Sequence, residues 1–203
     1  MEIALRAPSG KDKDTALEKL LATAKRTTRL AEQLLDLARL NACGHAPHEP
    51  ADLGNLVQHV ASEFEVQAEL QARRLSVETG GGRIACNIDE IGILLRNLVD
   101  NALRYTSPGG RIRIACGTAN ADAGEAVYLE VADDGPGVPQ DERQAIFRRF
   151  HRASGNRVRG SGIGLSLVAT IAQSHGATIE TDHGLDGRGF RVRVVFAQAA
   201  PMA

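Results

Sequence analysis

With 203 residues, 43% of them hydrophobic, the chain is long enough for one medium domain and a smaller accessory one. Lys and Arg total 24 against 25 Asp and Glu, a net charge of −1, so there is no basic excess of the kind a nucleic-acid surface needs. Cys43, Cys86 and Cys116 are odd in number, widely spaced and without a C-x-x-C pair, which argues against a zinc site or a disulfide framework and suits a reducing compartment. No apolar run approaches the roughly 18–20 residues of a membrane span, and the N-terminus has no signal-peptide pattern, so a soluble polypeptide is expected.

In chain order, the first predicted element is a long helix from Thr15 to Leu40. Leu20, Ala24, Thr27, Ala31, Leu34 and Ala38 recur at alternating steps of four and three. Leu17, Leu21, Leu30 and Leu37 widen the stripe, so the helix is expected to bury it against other helices. A loop follows, Cys43–Pro50, with two prolines and a glycine. Ala51–Ala72 reads as a helix with Asp52 as its N-cap. Leu75–Thr79 and Arg83–Asn87 read as strands separated by three glycines, and Ile91–Tyr105 as a helix ended by the turn Ser107–Gly110. Arg111–Cys116 and Ala126–Ala132 alternate as strands around a small polar loop. Pro139–Phe150 is predicted helical, as is a second helix from Ser161 or Gly162 to His175, stopped by Gly176. A strand at Ala177–Thr181, a glycine-rich turn at Asp186–Gly189 and a strand at Phe190–Phe196 close the chain. Strands grouped with helices in this way predict an open mixed sheet covered on one face, a two-layer α/β sandwich.

Three separated segments carry chemistry that fits one nucleotide. Asn97 and Asn101, four apart on a helix, share a face and offer amide oxygens to a Mg²⁺ ion. Asp133 ends a strand and is followed by Gly135 and Gly137. A carboxylate there can accept from an exocyclic amine such as adenine N6, while the glycines let the backbone approach a flat base. Gly160, Ser161, Gly162 and Gly164 precede a helix, where exposed N–H groups and the helix dipole favour phosphate. The run matches neither G-x-x-x-x-G-K-[ST] nor G-x-G-x-x-G, whose third glycine is replaced by Leu165. Each segment alone is weak; their joint occurrence in this order points to ATP.

Asn97–Tyr105, Asp133–Gly137, Ile146–Phe150 and Gly160–Leu165 resemble the N, G1, F and G2 boxes of bacterial sensor histidine kinases, within the wider GHKL ATPase superfamily. The likeness runs from about Thr15 to Phe196, and in Arg29–Leu40 and Gly160–Ser166 it leans toward quorum-sensing type kinases. The resemblance implies a Bergerat ATP-binding fold over residues 51–198, a linker at 44–50, and part of a dimerisation and phosphotransfer hairpin at 1–43. In that hairpin Met1–Arg6 would be the tail of the first helix and Pro8–Gly10 the turn. It implies ATP and Mg²⁺ as cofactors, with Asn101 and Asn97 on the metal, Arg104 and Tyr105 on phosphate and adenine, and Asp133 on the adenine amine. Arg149 and Arg152 would meet the γ-phosphate, while Gly162, Gly164 and Leu165 bound the triphosphate. Phe147 and Phe150 would anchor the root of a mobile lid at His151–Gly160. A response regulator and a homodimeric, membrane-anchored parent are implied as partners and setting, with this portion in the cytoplasm.

The sequence departs from that family at one point. None of its six histidines, at 45, 48, 59, 151, 175 and 183, sits in a pattern like His-Glu-Leu-Arg-Thr/Ser-Pro-Leu, so the chain is expected to bind ATP without phosphorylating itself. A further glycine-threonine element common in the family is also altered, because Gly189 is followed by Phe190. Two alternatives stay open from sequence: another GHKL ATPase, and a non-catalytic nucleotide-sensing dimerisation module.

Overall fold

The computed structural model describes residues 10–42, 48–121, 124–151 and 162–197. The chain divides into two compact units, Met1–Ala42 and Cys43–Ala203. The described part of the first is one helix, α1 (Gly10–Ala42). It contains the predicted Thr15–Leu40, and Leu17, Leu20, Leu21, Leu30, Leu34 and Leu35 stand exposed along it. The expected tail Met1–Arg6 and the turn residues Pro8 and Ser9 lie outside the described residues, while Gly10, expected in that turn, is the first residue of α1.

The second unit is an α/β layer pair. Its main sheet has the order β2-β4-β5-β7-β6, built from Arg74–Thr79, Arg111–Ala121, Gly124–Asp133, Arg191–Ala197 and Thr178–Asp182; a separate ribbon pairs β1 (Glu49–Asp52) with β3 (Arg83–Cys86). β2 and β4 run parallel and the other pairs antiparallel. Helices α2 (Leu53–Leu70), α3 (Ile88–Tyr105) and α4 (Gly164–Ser174) complete it.

Caps set two of the helix starts. Asp52 Oδ1 accepts from the Gly54 and Asn55 amides at 2.8 and 3.4 Å. Asn87 Oδ1 accepts from Asp89 and Glu90 at 3.1 and 3.4 Å while its Nδ2 donates to Glu90 Oε1, a reciprocal cap that satisfies otherwise orphaned N–H groups. On α3, Ile91, Leu94, Leu95, Leu98, Val99 and Ala102 fall at helical spacing and all are buried. They meet the inner face of the sheet, where Ile112 and Ile114 of β4, Leu129 and Val131 of β5, and Val192 and Val194 of β7 are buried in turn.

The opposite face of the sheet is ionic. Glu130 of β5 lies opposite Arg193 of β7 and is 1% exposed, yet Arg113 reaches its Oε1 at 3.0 Å and Arg193 its Oε2 at 2.7 Å. The Arg193 guanidinium also lies over the Tyr128 ring, 4.3 Å from its centroid. A buried carboxylate is tolerable here because it is paired and hydrogen-bonded on both oxygens.

Three elements differ from expectation. Glu49–Asp52 is a strand rather than linker or helix, since its pairing partner β3 lies some thirty residues away in sequence. β4 and β5 continue through the expected polar loop to Ala121 and Gly124. There Gly117 leaves room for the Tyr128 ring, which would stand 3.0–3.2 Å from a Cβ. Pro139–Phe150 is not a helix but a series of turns with a short 3₁₀ segment, Ala145–Phe147. Only Ile146 of that segment is buried, too little apolar surface to hold three helical turns in place.

Candidate nucleotide-binding site

Helix α3 brings Asn97, Asn101, Arg104 and Tyr105 into the site region. Asn97 is buried, and its Nδ2 donates to the Ile93 carbonyl at 2.9 Å. That bond fixes the orientation of the amide, with the oxygen at its other end. Asn101 is half-buried one turn later on the same helix. Arg104 is close to Asp100, at 3.8 Å, so the guanidinium is positioned on the helix by a local charge pair.

Asp133 ends β5, buried at 7% exposure. Its Oδ1 accepts from the amides of Gly135 at 2.8 Å and Phe190 at 3.3 Å. Both of these bonds fall on one oxygen, which leaves Oδ2 as the carboxylate's other acceptor. Burial pushes the carboxyl up to about 6, against the two N–H donors that hold it down. Gly135 follows at close quarters: a Cβ there would lie 2.9 Å from Asp133 Oδ1 and 3.0 Å from the Tyr105 carbonyl. Tyr105, Asp133 and Gly135 thus come together across 30 residues of sequence.

The third segment is organised at its two ends. Phe150, exposed and at φ +62°, donates its amide to the Gly162 carbonyl at 2.9 Å. Gly162 has φ +71°, and a Cβ on it would lie 2.8 Å from Phe150 Cα. Only glycine suits that backbone and that approach. α4 then starts at Gly164, with Leu165 half-buried and the Ser166 hydroxyl donating to the Ile163 carbonyl at 2.8 Å. It packs against α3 and the 3₁₀ segment, so the predicted asparagine and glycine helices are neighbours. Arg149 is exposed. Arg152, Gly160, Ser161 and the body of the expected lid lie outside the described residues.

Sequence reasoning missed the wall behind Asp133. Gly184 and Gly189 press so close that a Cβ on either would collide with the Asp133 carbonyl oxygen, and a Cβ on Gly137 would lie 2.7 Å from the Gly189 carbonyl. Gly137 and Gly189 both have positive φ, at +75° and +71°. Arg111 pins the same wall from the ionic face, reaching Asp134 Oδ2 at 3.2 Å and Asp186 Oδ2 at 2.5 Å. The paired glycines around Asp186 were the available signal; they read as a turn, with nothing to say what the turn touches. A cavity of about 440 Å³ borders Gly135–Pro139 and Gly187–Gly189 without Asn97, Asn101 or Asp133 in its lining.

Comparison with known proteins agrees with this geometry. Residues 86–200 match the family model described as histidine kinase-, DNA gyrase B-, and HSP90-like ATPase. The chain is 35% identical over 212 residues to the sensor protein kinase PmrB of Pseudomonas aeruginosa, covering 100% of this chain and 42% of that protein. It is 32% identical over 180 residues to the histidine-protein kinase/phosphatase MprB of Mycobacterium bovis, covering 87% of this chain and 34% of that one. The chain therefore spans less than half the length of these relatives. Among solved structures, full-length ShkA in complex with AMPPNP superposes with a TM-score of 0.70 at 25% identity, over 94% of this chain and 40% of that one. The two-layer α/β fold, the nucleotide motifs and the family match agree: the chain belongs to the histidine kinase-, DNA gyrase B- and HSP90-like ATPases, with sensor histidine kinases as its relatives.

Proposed function

We propose that this chain is the catalytic part of a sensor histidine kinase, transferring the γ-phosphoryl group of ATP to a histidine on a helical hairpin. The observation that carries this reading is Asp133. It is a buried carboxylate with two backbone amides on one oxygen, and its other oxygen would accept from an adenine amine. A guanine would present a carbonyl oxygen where adenine presents its amine, so an acceptor at this position discriminates between the two purines.

The residues also suit a Mg²⁺-bound triphosphate. Asn97 and Asn101 offer amide oxygens from one helix face, the oxygen chemistry that Mg²⁺ prefers while it keeps part of its water shell. When bound, the ion would neutralise phosphate charge; the chain's own residues orient the nucleotide. Tyr105 at the end of α3 would stack on the base, Gly135 and Gly137 would let it approach, and Arg104 would reach the phosphates. Gly160, Ser161, Gly162, Gly164 and Leu165 would border the triphosphate at the start of α4, with Arg149 and Arg152 offsetting charge as the phosphoryl group transfers. A neutral imidazole needs no strong base to attack, so positioning and charge stabilisation are the main tasks of this domain.

The acceptor histidine would belong to a hairpin of which α1 is one helix, its leucine stripe packing in a homodimer. The phosphoryl group would then pass to the receiver domain of a response regulator. The parent protein is read as membrane-anchored with this portion in the cytoplasm; among the described residues, no helix is long and apolar enough to cross a membrane. The test is transfer in trans. Mixed with γ-labelled ATP, Mg²⁺ and a separately supplied hairpin carrying its acceptor histidine, the chain should place acid-labile phosphate on the hairpin and none on itself. Nucleotide binding without any transfer would favour a non-catalytic sensing role. Label on this chain would place an acceptor among its own six histidines.

A further inference from the structure

His175 follows α4 as its C-cap, and both ring nitrogens meet the backbone. Nδ1 lies 2.9 Å from the Ile171 carbonyl, which can only accept, so Nδ1 carries the hydrogen. Nε2 lies 3.2 Å from the amide nitrogen of Asn87, which can only donate, so Nε2 must offer its lone pair. Together these contacts admit one form of the side chain: neutral, with the hydrogen on Nδ1. That side chain is 1% exposed.

The ring has a second neighbour. His48 stacks on it with centroids 4.6 Å apart and planes 3° from parallel. His48 is six residues beyond Ala42, where α1 ends, and immediately precedes β1. Asn87, the partner on the other side, is the N-cap of α3, the helix that carries Asn97 and Asn101. The other groups facing the His175 ring are Glu90 of α3, whose Oε2 is 3.7 Å from Nδ1, and the Ser174 hydroxyl, 3.2 Å from the same atom. Both approach Nδ1 and neither satisfies a hydrogen on Nε2.

We propose that His48 and His175 form a proton-operated latch between the start of β1 and the start of the asparagine helix. With both imidazoles neutral, His48 is stacked on the α/β unit and the Asn87 amide is held by Nε2. When Nε2 takes a proton from solvent, its lone pair is consumed and an N⁺–H faces the Asn87 N–H. The acceptor is lost, and a charged ring replaces a neutral one in the stack with His48. Burial lowers the His175 pKa, the nearby His48 lowers it further, and the Ile171 carbonyl and Glu90 oppose them. The stabilising contact is therefore complete above the ordinary histidine range and is lost as pH falls through the lowered folded-state value. This inference stands apart from the nucleotide reading, because it concerns the connection into α3 rather than what the helix binds.

The test uses the whole chain without nucleotide, so that Asp133 and ligand binding do not enter. Long-range proton–nitrogen NMR at about pH 7.5 should show His175 as the neutral Nδ1–H tautomer. On acidification His175 should titrate below the ordinary histidine value, and protection of the Asn87 amide from exchange, corrected for intrinsic rate, should fall at least about tenfold across the His175 midpoint. His175→Gln keeps an acceptor and a donor but cannot titrate there, so its Asn87 protection should not change with pH. An Nε2–H tautomer in the native chain, unchanged Asn87 protection through the midpoint, or a fall in protection that persists in H175Q would each overturn the latch.

Discussion

Replacing Asp133 by Asn should make the empty protein more stable and the nucleotide complex weaker. In the native chain the carboxyl is pushed up from its ordinary 3.8 to about 6 by burial. At about 1.4 kcal/mol for each tenfold in affinity for the proton, keeping it ionised above that value costs the fold up to about 3 kcal/mol. The sign follows from the direction. The folded state holds the proton more tightly than the unfolded chain, so this group's contribution worsens as pH rises from about 3.8 to about 6 and is constant above. An asparagine removes the charge while its Oδ1 can still accept from Gly135 and Phe190, the two donors observed on Asp133. Those bonds force Nδ2 into the place of Oδ2, so the variant would set an N–H₂ against the adenine amine. Losing a hydrogen bond to a charged acceptor costs about 1.5–3 kcal/mol, or roughly 10- to 150-fold in affinity. Urea denaturation of both proteins at about pH 7.5 and pH 4.5 would read the first effect, with D133N more stable at the higher pH and the gap closing at the lower. Titration with a fluorescent ATP analogue would read the second. A variant that is less stable at neutral pH, or one that binds ATP as tightly as the native chain, would refute the reasoning.

Four further outcomes follow. Gly189→Ala should cost at least about 2 kcal/mol by thermal denaturation, because it adds a Cβ at φ +71° directly against the Asp133 carbonyl. Glu130→Ala should destabilise by about 3 kcal/mol in urea with nucleotide affinity unchanged. It strips three guanidiniums, of Arg113, Arg191 and Arg193, of a buried partner, although each retains some solvent contact. Chelating Mg²⁺ should weaken ATP binding by the native chain more than by Asn101→Ala, since the variant lacks one of the two amide oxygens assigned to the ion. Iodoacetamide should leave Cys86 and Cys116 unlabelled in the native protein, as mass spectrometry of digests would show. Burial pushes the Cys86 thiol up to about 11 and raises that of Cys116 as well.

What the sequence made legible was local. The helix at Ile91–Tyr105 and the cap at Asp52 depend on residues within a few positions of one another, and both stand in the structure. The alternation of β7 separated core valines from outward arginines for the same reason. Asp133, Gly135 and Gly137 announced a close approach of backbone, and the structure adds what approaches: Tyr105 on one side, Gly189 on the other. The parts that could not be read depend on distant partners. Glu49–Asp52 is extended only because Arg83–Cys86 lies beside it. The wall formed by Gly184 and Gly189 is about fifty residues from the carboxylate it supports, and His48 meets His175 across most of the α/β unit's sequence. The expected helix at Pro139–Phe150 failed in the other direction, where permissive local composition lacked an apolar face to dock.

The amide of Phe150 and the carbonyl of Gly162 close a ring in the backbone with one hydrogen bond. A run of residues whose two ends are tied together can be lengthened, shortened or exchanged without displacing what lies beyond the tie, and doubling such a run costs only about 0.6 kcal/mol in closure entropy. Changes of sequence or length between these two tied residues should therefore leave α4 seated against α3.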